Sequence, residues 1–176
     1  MKNLEFALQV LSKVPFPIEF NIYGPLGDDP EYWQRCTRLM ESLPDKIEVN
    51  YHGPISTNQV PFQFASHDVF FLPTRGENFG HAIFESLQSG CSVLLSDQTP
   101  WQDFQKKQVG WVLPLDNARG FCQALIDLNA ESQKERNRRR LQCISYAEQF
   151  LLNGGIIKQN RQMFNDVQKQ LISGKS

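Results

Sequence analysis

Two carboxylates flank the predicted start of one helix. Glu77 lies just before Gly80, and Glu85 lies inside the helix, with seven residues between the two carboxylates. Because Gly80 places no side chain over the helix start, an anion can approach the free backbone N–H groups, and the helix dipole adds about half a positive charge there. Carboxylates accept strong hydrogen bonds from hydroxyl groups. The pattern therefore predicts a site for a phosphate or diphosphate with a hydroxyl-bearing group toward each carboxylate.

The spacing of the two acids adds to this interpretation but leaves an alternative open. From Phe79 to Glu85 a helix rises about 9 Å, which approximates the distance from ribose to sugar ring in a nucleotide-diphosphate sugar. The sequence contains neither a P-loop nor a GxGxxG motif. On spacing alone, the favoured alternative is that Glu77 is a simple helix-start charge and that Glu85 faces solvent opposite Ile83 and Leu87.

The elements that position these residues follow from the hydrophobic pattern. Five short apolar runs alternate with helix-compatible stretches, which is typical of a doubly wound, Rossmann-like parallel sheet of about five strands. Residues 1–130 are predicted to form this α/β domain, and residues 131–176 are predicted to form two long C-terminal helices that pack on it. The predicted strands are 18–23, 47–51, 69–72, 92–95 and 110–113, and the predicted helices lie near 3–13, 30–43, 56–66, 80–89 and 117–129.

Ligands of an open α/β sheet bind beyond the carboxyl ends of the strands. In this sequence the residues that follow four of the strands are polar or rich in glycine and proline. Such loops are suited to a ligand, although any α/β loop needs similar residues to turn the chain. The loop that contains Glu77 carries the most specific signal.

Composition and charge exclude several classes of protein. The 176 residues are 40% hydrophobic, enough for one packed domain. The 18 Lys and Arg residues balance 19 Asp and Glu residues, which argues against a general nucleic-acid binder. No signal peptide or membrane span is visible, and the four cysteines lack metal-site spacing. We therefore expect a cytoplasmic globular protein with reduced cysteines and no bound metal.

A basic run at 134–140 has two interpretations. The first is a solvated helix face, as most charge runs are. The second is peripheral contact with the anionic inner face of the cell membrane, where each basic residue contributes about 1 kcal/mol.

Residues 76–96 resemble the E-x7-E segment of GT-B-fold, family 4-type (group 1) glycosyltransferases. Their order of motifs is also similar over residues 2–130: 66–74 resembles the "aDvfvlPS" strand, 50–55 the "v.f.G.v" strand, 22–24 the "i.G.G" turn and 109–113 the "nG.lv" strand. The chain thus resembles the C-terminal, donor-binding domain of such an enzyme.

The resemblance implies a retaining sugar transfer from a nucleotide-diphosphate sugar, usually without a metal or other cofactor. Glu77 is then expected to hold hydroxyls of the transferred sugar. The backbone amides of Asn78, Phe79 and Gly80 are expected to contact the sugar or the phosphate. Glu85 is expected to hold the ribose.

The same resemblance implies roles for residues in other loops. Lys2 is similar to the end of a diphosphate-clamping motif and is expected to stabilise the leaving diphosphate; the rival interpretation is a disordered terminal lysine. Gly24 belongs to the glycine turn, and the loop with His52, Gly53 and Ile55 is expected to border the base.

Departures from the pattern accompany the resemblance. The strand before Lys2, a partner arginine and the N-terminal domain that would hold a sugar or lipid acceptor are not in the sequence, so an N-terminal glycosyltransferase domain is an expected partner. Trp101 lies in a loop where the family often has a glutamate. Its side chain either packs in the core or stacks on a base, and packing is the favoured interpretation. His81 is expected to form a wall of the site.

Three functions remain in competition. The first is the donor-binding half of a glycosyltransferase that makes a cell-surface polysaccharide or glycolipid. The second is a non-catalytic nucleotide-sugar-binding module. The third, a sugar-nucleotide epimerase, fits the motifs less well.

Overall fold

The protein is an α/β domain, and the computed structural model describes residues 2–154. Helices and strands alternate along the chain until β5, after which two helices follow each other. The elements are α1 (Leu4–Leu11), β1 (Ile18–Tyr23), α2 (Pro30–Glu41), β2 (Ile47–Gly53), α3 (Val60–Ser66), β3 (Val69–Leu72), α4 (His81–Gln88), β4 (Ser92–Ser96), α5 (Phe104–Lys107), β5 (Gly110–Leu113), α6 (Ala118–Ala130) and α7 (Gln133–Leu152).

All five strands are parallel to their neighbours, and they pair in two groups. β1 pairs with β2, and β4 lies between β3 and β5. All five residues of β4 are buried, which explains the continuous apolar run at its centre. In the neighbouring β3 only Leu72 is fully buried.

Helices cover the strands on two faces, as in a doubly wound fold. One core cluster joins α1 and α6 to apolar side chains of all five strands; its fully buried members include Val10, Leu11, Leu94 and Phe121. The other cluster joins α4 and α7 to β3, β4 and β5. These two layers confirm the predicted fold class and place α4, the helix of the candidate site, directly on the central strand.

The predicted elements are confirmed apart from a few boundaries. The short helix α5 is not predicted from the sequence, because four residues are too few to show a helical period. α3 begins at Val60 rather than near 56, since Ser56 and Gln59 form a turn, with the Gln59 N–H donating to the Ser56 carbonyl at 2.9 Å. The first predicted C-terminal helix is α7; the second lies outside the described residues, and the domain boundary at 130 stays a prediction.

The basic run lies on α7, and much of it contacts the protein itself. Arg136 pairs with Asp68 at 3.2 Å. Arg139 pairs with Glu131, and Arg140 donates to backbone carbonyls at the end of α3. These three guanidinium groups therefore hold loops to α7, which removes part of the basis for a membrane-binding surface. Within residues 2–154, no helix has the length and apolar character needed to cross a membrane.

Candidate functional site

The candidate site is built on the loop between β3 and α4, which is tied to the loop after β4. The Ser96 hydroxyl donates to the Thr74 carbonyl at 2.5 Å, and both residues are buried. The Glu77 N–H donates to the Gln98 carbonyl at 3.1 Å. Because two neighbouring strand ends brace the loop, the position of Glu77 is fixed by the sheet rather than by the loop alone.

Gly80 ends this loop and caps α4 in the left-handed conformation, with φ of 77°. A Cβ atom added here would lie 2.6 Å from Cδ1 of Ile83 and 3.2 Å from Cγ of Glu77. Glycine adopts this backbone angle without strain, whereas a larger residue would also have to displace the side chains of Ile83 and Glu77. Gly80 therefore lets the side chain of Glu77 lie close to the start of α4.

The carboxylate of Glu77 lies at this helix start beside the side chain of Lys2. The Lys2 Nζ and Glu77 Oε2 atoms are 2.5 Å apart, and the Asn78 N–H donates to Glu77 Oε1 at 3.1 Å. Partial burial raises the pKa of Glu77, but Lys2 and the backbone N–H groups of Asn78 and Gly80 outweigh it, so the pKa is below its ordinary value. The structure thus places an ammonium, a carboxylate and the backbone N–H groups that precede α4 together.

Phe79 contributes its backbone to the loop and its ring to the core. Trp101 is 2% exposed and donates from Nε1 to the Phe79 carbonyl at 2.6 Å. Its indole also lies among the rings of Phe84, Phe104 and Phe150. Of the two interpretations of Trp101, packing is the one the structure supports.

Glu85 lies one turn into α4 on the exposed side of the helix, while Ile83 and Leu87 are buried. Within residues 2–154 its carboxylate forms no hydrogen bond or ion pair. The arrangement leaves the carboxylate available to a ligand, although it equally suits the solvent-facing alternative. His81 is exposed, with its ring 4.7 Å from the Phe79 ring.

A second group of predicted site residues lies at the ends of β1 and β2. The Gly24 N–H donates to the Gly53 carbonyl at 2.9 Å, and both glycines have positive φ. The exposed His52 ring stacks on Tyr23 with 4.8 Å between ring centroids, and Ile55 is half-buried. Because parallel strands end at one edge of a sheet, this group and the Glu77 group lie at the same edge.

Some residues that shape the site give little signal in the sequence. The carbonyl of Gln98 and the hydroxyl of Ser96 brace the loop through atoms that a motif does not reveal. Ser96 could have been found as a polar residue directly after the apolar run of β4. Gln98 could not, because its backbone accepts the bond and its side chain is irrelevant to it.

The part of the chain that the structure describes contains no group of three His, Cys, Asp or Glu side chains arranged to hold a metal ion. Three of the cysteines are buried and all four are free. Burial raises the pKa of Cys91 to about 12 and that of Cys143 to about 11. The thiols of Cys91 and Cys143 are therefore protonated at neutral pH, and both residues belong to the core.

Comparison with known structures finds the same fold in glycosyltransferases. WaaG, a glycosyltransferase involved in lipopolysaccharide biosynthesis, is 16% identical with a TM-score of 0.65, over 84% of this chain and 39% of that chain. The catalytic domain of cholesterol-α-glucosyltransferase from Helicobacter pylori is 14% identical with a TM-score of 0.66, over 85% and 91%. The C-terminal domain of LpcC, a group 1 family protein from Francisella tularensis, is 18% identical with a TM-score of 0.64, over 82% and 74%.

These likenesses and the strand-end site define a Rossmann-like domain of the GT-B type. A family model described as "Glycosyl transferases group 1" matches residues 1–131, so the chain belongs to the group 1 glycosyltransferase family. A search of curated proteins finds no match. The chain spans 39% of WaaG and 43% of a sucrose-phosphate synthase from Thermosynechococcus elongatus, less than half of either protein.

Proposed function

We propose that this chain is the donor-binding half of a retaining glycosyltransferase whose donor is a nucleotide-diphosphate sugar. The observation that carries the proposal is the group formed by Lys2, Glu77 and the start of α4. It combines two features that attract phosphate with a carboxylate that can accept hydrogen bonds from sugar hydroxyls.

The diphosphate is proposed to bind at the start of α4. Backbone N–H groups and the helix dipole favour an anion there. Lys2, which is paired with Glu77 at 2.5 Å, carries a 66% exposed side chain and can turn from the carboxylate to a phosphate oxygen. Once there, it stabilises the negative charge that develops on the diphosphate as the sugar leaves.

The two carboxylates are proposed to bind the two sugars of the donor. Glu77 is ionised at neutral pH because its pKa is lowered, so it acts as an acceptor for hydroxyls of the transferred sugar. Glu85, one turn along α4, is proposed to accept from the ribose hydroxyls. The amides of Asn78, Phe79 and Gly80 lie between these positions.

The base is proposed to lie against the loop of His52, Gly53 and Ile55, next to the Gly24 turn. A trehalose-6-phosphate protein from E. coli, 12% identical with a TM-score of 0.65, has been crystallised with UDP-2-fluoro glucose, which supports a nucleotide sugar as the ligand of this fold. The name of the Helicobacter pylori relative specifies an α-glucosyltransferase. An α-linked product formed from an α-linked nucleotide sugar keeps its anomeric configuration, which supports retention.

Turnover is proposed to require a second, acceptor-binding half, because transfer needs both substrates held together. A sugar or lipid acceptor would bind there, and no metal or other cofactor is proposed for the donor site. We further propose a cytoplasmic location with at most peripheral membrane contact.

A thermal-shift panel tests the proposal with uridine, guanosine and adenosine diphosphates, their deoxyribose counterparts and their glucose conjugates. A donor at 100 times its Kd adds about 2.7 kcal/mol of stability, which for a protein of this size raises the Tm by about 5–11 °C. Glu77→Ala should weaken the sugar-bearing ligands more than the bare diphosphates. Glu85→Ala should abolish the preference for ribose over deoxyribose nucleotides.

The matched control is Glu41→Ala, which removes an exposed helical glutamate at the end of α2, at the opposite edge of the sheet from the site. It should leave every ligand unaffected. Equal losses for all ligands in the Glu77 and Glu85 variants would contradict the proposed division of roles. Donor binding without turnover, even when an acceptor-binding half is supplied, would favour the non-catalytic binding module.

A further inference from the structure

A small pocket lies at the carboxyl edge of the sheet, where the start of α1 meets the loops that follow β3 and β5. It has a volume of about 220 Å³ and is lined by Asn3, Glu5, Phe6, Gln9, Arg75 and Leu115. Asn3 directly follows Lys2, and Arg75 lies two residues before Glu77 in the same loop. The pocket, here called the α1 pocket, therefore adjoins the Lys2–Glu77 pair.

Asn3 is a buried polar residue whose side chain has no partner. The residue is 4% exposed, and its side-chain amide forms no hydrogen bond with any residue in the range 2–154. Only its backbone is used, since the Ala7 N–H donates to the Asn3 carbonyl at 3.4 Å. Buried side-chain amides are normally hydrogen-bonded, and an exception calls for an explanation. A ligand in the α1 pocket is able to supply the missing partner.

Arg75 brings an unpaired positive charge to the same pocket. The residue is exposed, and its guanidinium forms no hydrogen bond or ion pair within the part of the chain that the structure describes. Arg35, Arg136 and Arg139, by contrast, are each paired with a carboxylate of the protein. Because a guanidinium donates two parallel hydrogen bonds to a carboxylate, Arg75 is suited to an anionic group of a ligand.

The charge of Glu5 limits what that anionic group is. The Arg35 Nε atom donates to Glu5 Oε1 at 2.8 Å, and the Glu5 side chain is 24% exposed. This pair is neutral overall, so Arg75 leaves the α1 pocket with one net positive charge. A carboxylate matches that single charge. A phosphate monoester carries a charge of about −1.5 to −2 at pH 7 and would be repelled by the Glu5 carboxylate.

The size and the remaining walls of the α1 pocket indicate a sugar ring. Phe6 and Leu115 are half-buried and provide apolar surface, and the Phe6 ring is fixed edge to face on Phe121 with 5.1 Å between centroids. Gln9, one turn of α1 beyond Glu5, adds an exposed amide. At 220 Å³ the pocket is smaller than the roughly 300–1,000 Å³ of pockets for drug-sized ligands, so it suits one ring and not a nucleotide.

We propose that the α1 pocket binds one sugar unit that carries a single carboxylate, a uronic acid, with this carboxylate on the guanidinium of Arg75. The sugar hydroxyls bond to the side-chain amide of Asn3 and to the carboxylate of Glu5. The apolar face of the ring lies against Phe6. Arg75 is then a specificity-determining residue for an acidic sugar.

The role of this sugar rests on the proposed function, whereas its binding does not. Two substrates can deliver a uronic acid to a pocket beside Lys2 and Glu77. One is the acceptor, if it carries a uronic acid next to the position of transfer. The other is the donor, if the transferred sugar is itself a uronic acid.

The test is an NMR titration of the full 176-residue chain, labelled with ¹⁵N, with glucuronate and without any nucleotide. The side-chain amide signals of Asn3 and the Nε–H signal of Arg75 should shift with saturable, one-to-one binding. Glucose lacks the carboxylate and acetate lacks the ring, so each should bind about tenfold more weakly or worse. Equal affinity for glucuronate and glucose, or tighter binding of glucose 6-phosphate, would overturn the proposal.

Substitutions of Arg75 test the charge. Arg75→Gln should weaken glucuronate about tenfold or more and leave the weak binding of glucose unchanged. Arg75→Lys keeps the charge but lacks the planar fork, so its affinity should lie between the two. The matched control is Arg38→Gln, which removes an exposed guanidinium in the last turn of α2 that bonds only to Gln34, at 3.0 Å. Equal losses in Arg75→Gln and Arg38→Gln would reveal unspecific charge attraction and contradict the proposal.

Asn3→Gly tests the buried amide. Asn3 has φ of 61°, which glycine adopts without strain, so the variant removes the amide and keeps the backbone. It should bind glucuronate about fivefold more weakly or worse, with circular dichroism showing that it is folded. A variant with a lower Tm that binds glucuronate like the wild type would show a purely structural role for Asn3 and overturn the proposal.

A second titration separates the two sources of the sugar. It compares the glucuronate and glucose conjugates of the nucleotide that binds best. If the donor delivers the uronic acid, Arg75→Gln weakens only the glucuronate conjugate; if the acceptor does, both conjugates are unaffected and free glucuronate still binds beside the glucose conjugate. Glucuronate binding without any nucleotide binding would support the α1 pocket and contradict the proposed function. The reverse result would contradict the α1 pocket alone.

Discussion

Substitution of Gly80 by alanine tests how the candidate site is built. The residue has φ of 77°, and an added Cβ would lie 2.6 Å from Cδ1 of buried Ile83 and 3.2 Å from Cγ of Glu77. The methyl group therefore strains the backbone, crowds the core and pushes against the carboxylate that we assign to the sugar.

The expected loss of stability can be worked from these contacts. A left-handed conformation costs an alanine about 1–2 kcal/mol, and crowding of a packed core costs about 1–3 kcal/mol. The sum is about 2–5 kcal/mol, which for a protein of this size lowers the Tm by about 4–20 °C. Rotation of the Ile83 side chain would bring the value toward the lower end.

The assay is thermal unfolding followed by circular dichroism, with Gly76→Ala as the matched control. Gly76 lies in the same loop, has no positive φ and has no atom within 4 Å of an added Cβ, so its alanine variant should differ from wild type by less than about 0.5 kcal/mol. If the Gly80 and Gly76 variants unfold at the same temperature, the helix start is not built as described. The Gly80 variant should also bind nucleoside diphosphates more weakly.

Three further predictions concern single contacts. Trp101→Phe leaves the Phe79 carbonyl without its donor and should lower the free energy of unfolding by about 1–3 kcal/mol in urea titrations; no change would contradict a structural role for the indole N–H. The pKa of Glu77 is lowered from 4.5, so its pair with Lys2 stabilises the fold above pH 4.5 and loses its effect as the pH falls through the lower pKa of the folded state. The difference in stability between the wild type and Glu77→Gln should therefore be below about 1 kcal/mol at neutral pH and vanish in acid. A difference that grew in acid would contradict this pH dependence. Gly110→Ala would place a Cβ 2.2 Å from a backbone carbonyl oxygen of β4 and should lower the free energy of unfolding by about 3 kcal/mol or more. The same urea titrations measure this loss, and a variant as stable as the wild type would contradict the close approach of β5 to β4.

The strands and most helices could be predicted because their hydrophobic patterns are local. β4 reads as a continuous apolar run and is buried throughout, and Gly80 marks the start of α4 as expected. Strand pairing could not be predicted in the same way, since periodicity shows that β1 and β3 are strands but not whether they are neighbours. The division into a β1–β2 pair and a β3–β4–β5 group is known only from the strand pairing in the structure.

The candidate site was partly predictable for the same reason. Glu77 and Gly80 lie in one short motif, so their proximity follows from sequence. Lys2 lies 75 residues from Glu77, and only the resemblance to a family suggested that the two share a site. The contact between Trp101 and the Phe79 carbonyl depends on packing between two loops, which sequence spacing does not encode.

The most direct measurement is a crystal structure of the full chain soaked with a nucleoside diphosphate and, separately, with its sugar conjugate. We predict that the diphosphate binds at the N–H groups around Gly80, that Lys2 leaves Glu77 for a phosphate oxygen, and that Glu85 contacts the ribose. In the sugar conjugate, Glu77 should accept from sugar hydroxyls. A nucleotide bound at another edge of the sheet, or a Lys2–Glu77 pair unchanged beside a bound diphosphate, would contradict the account.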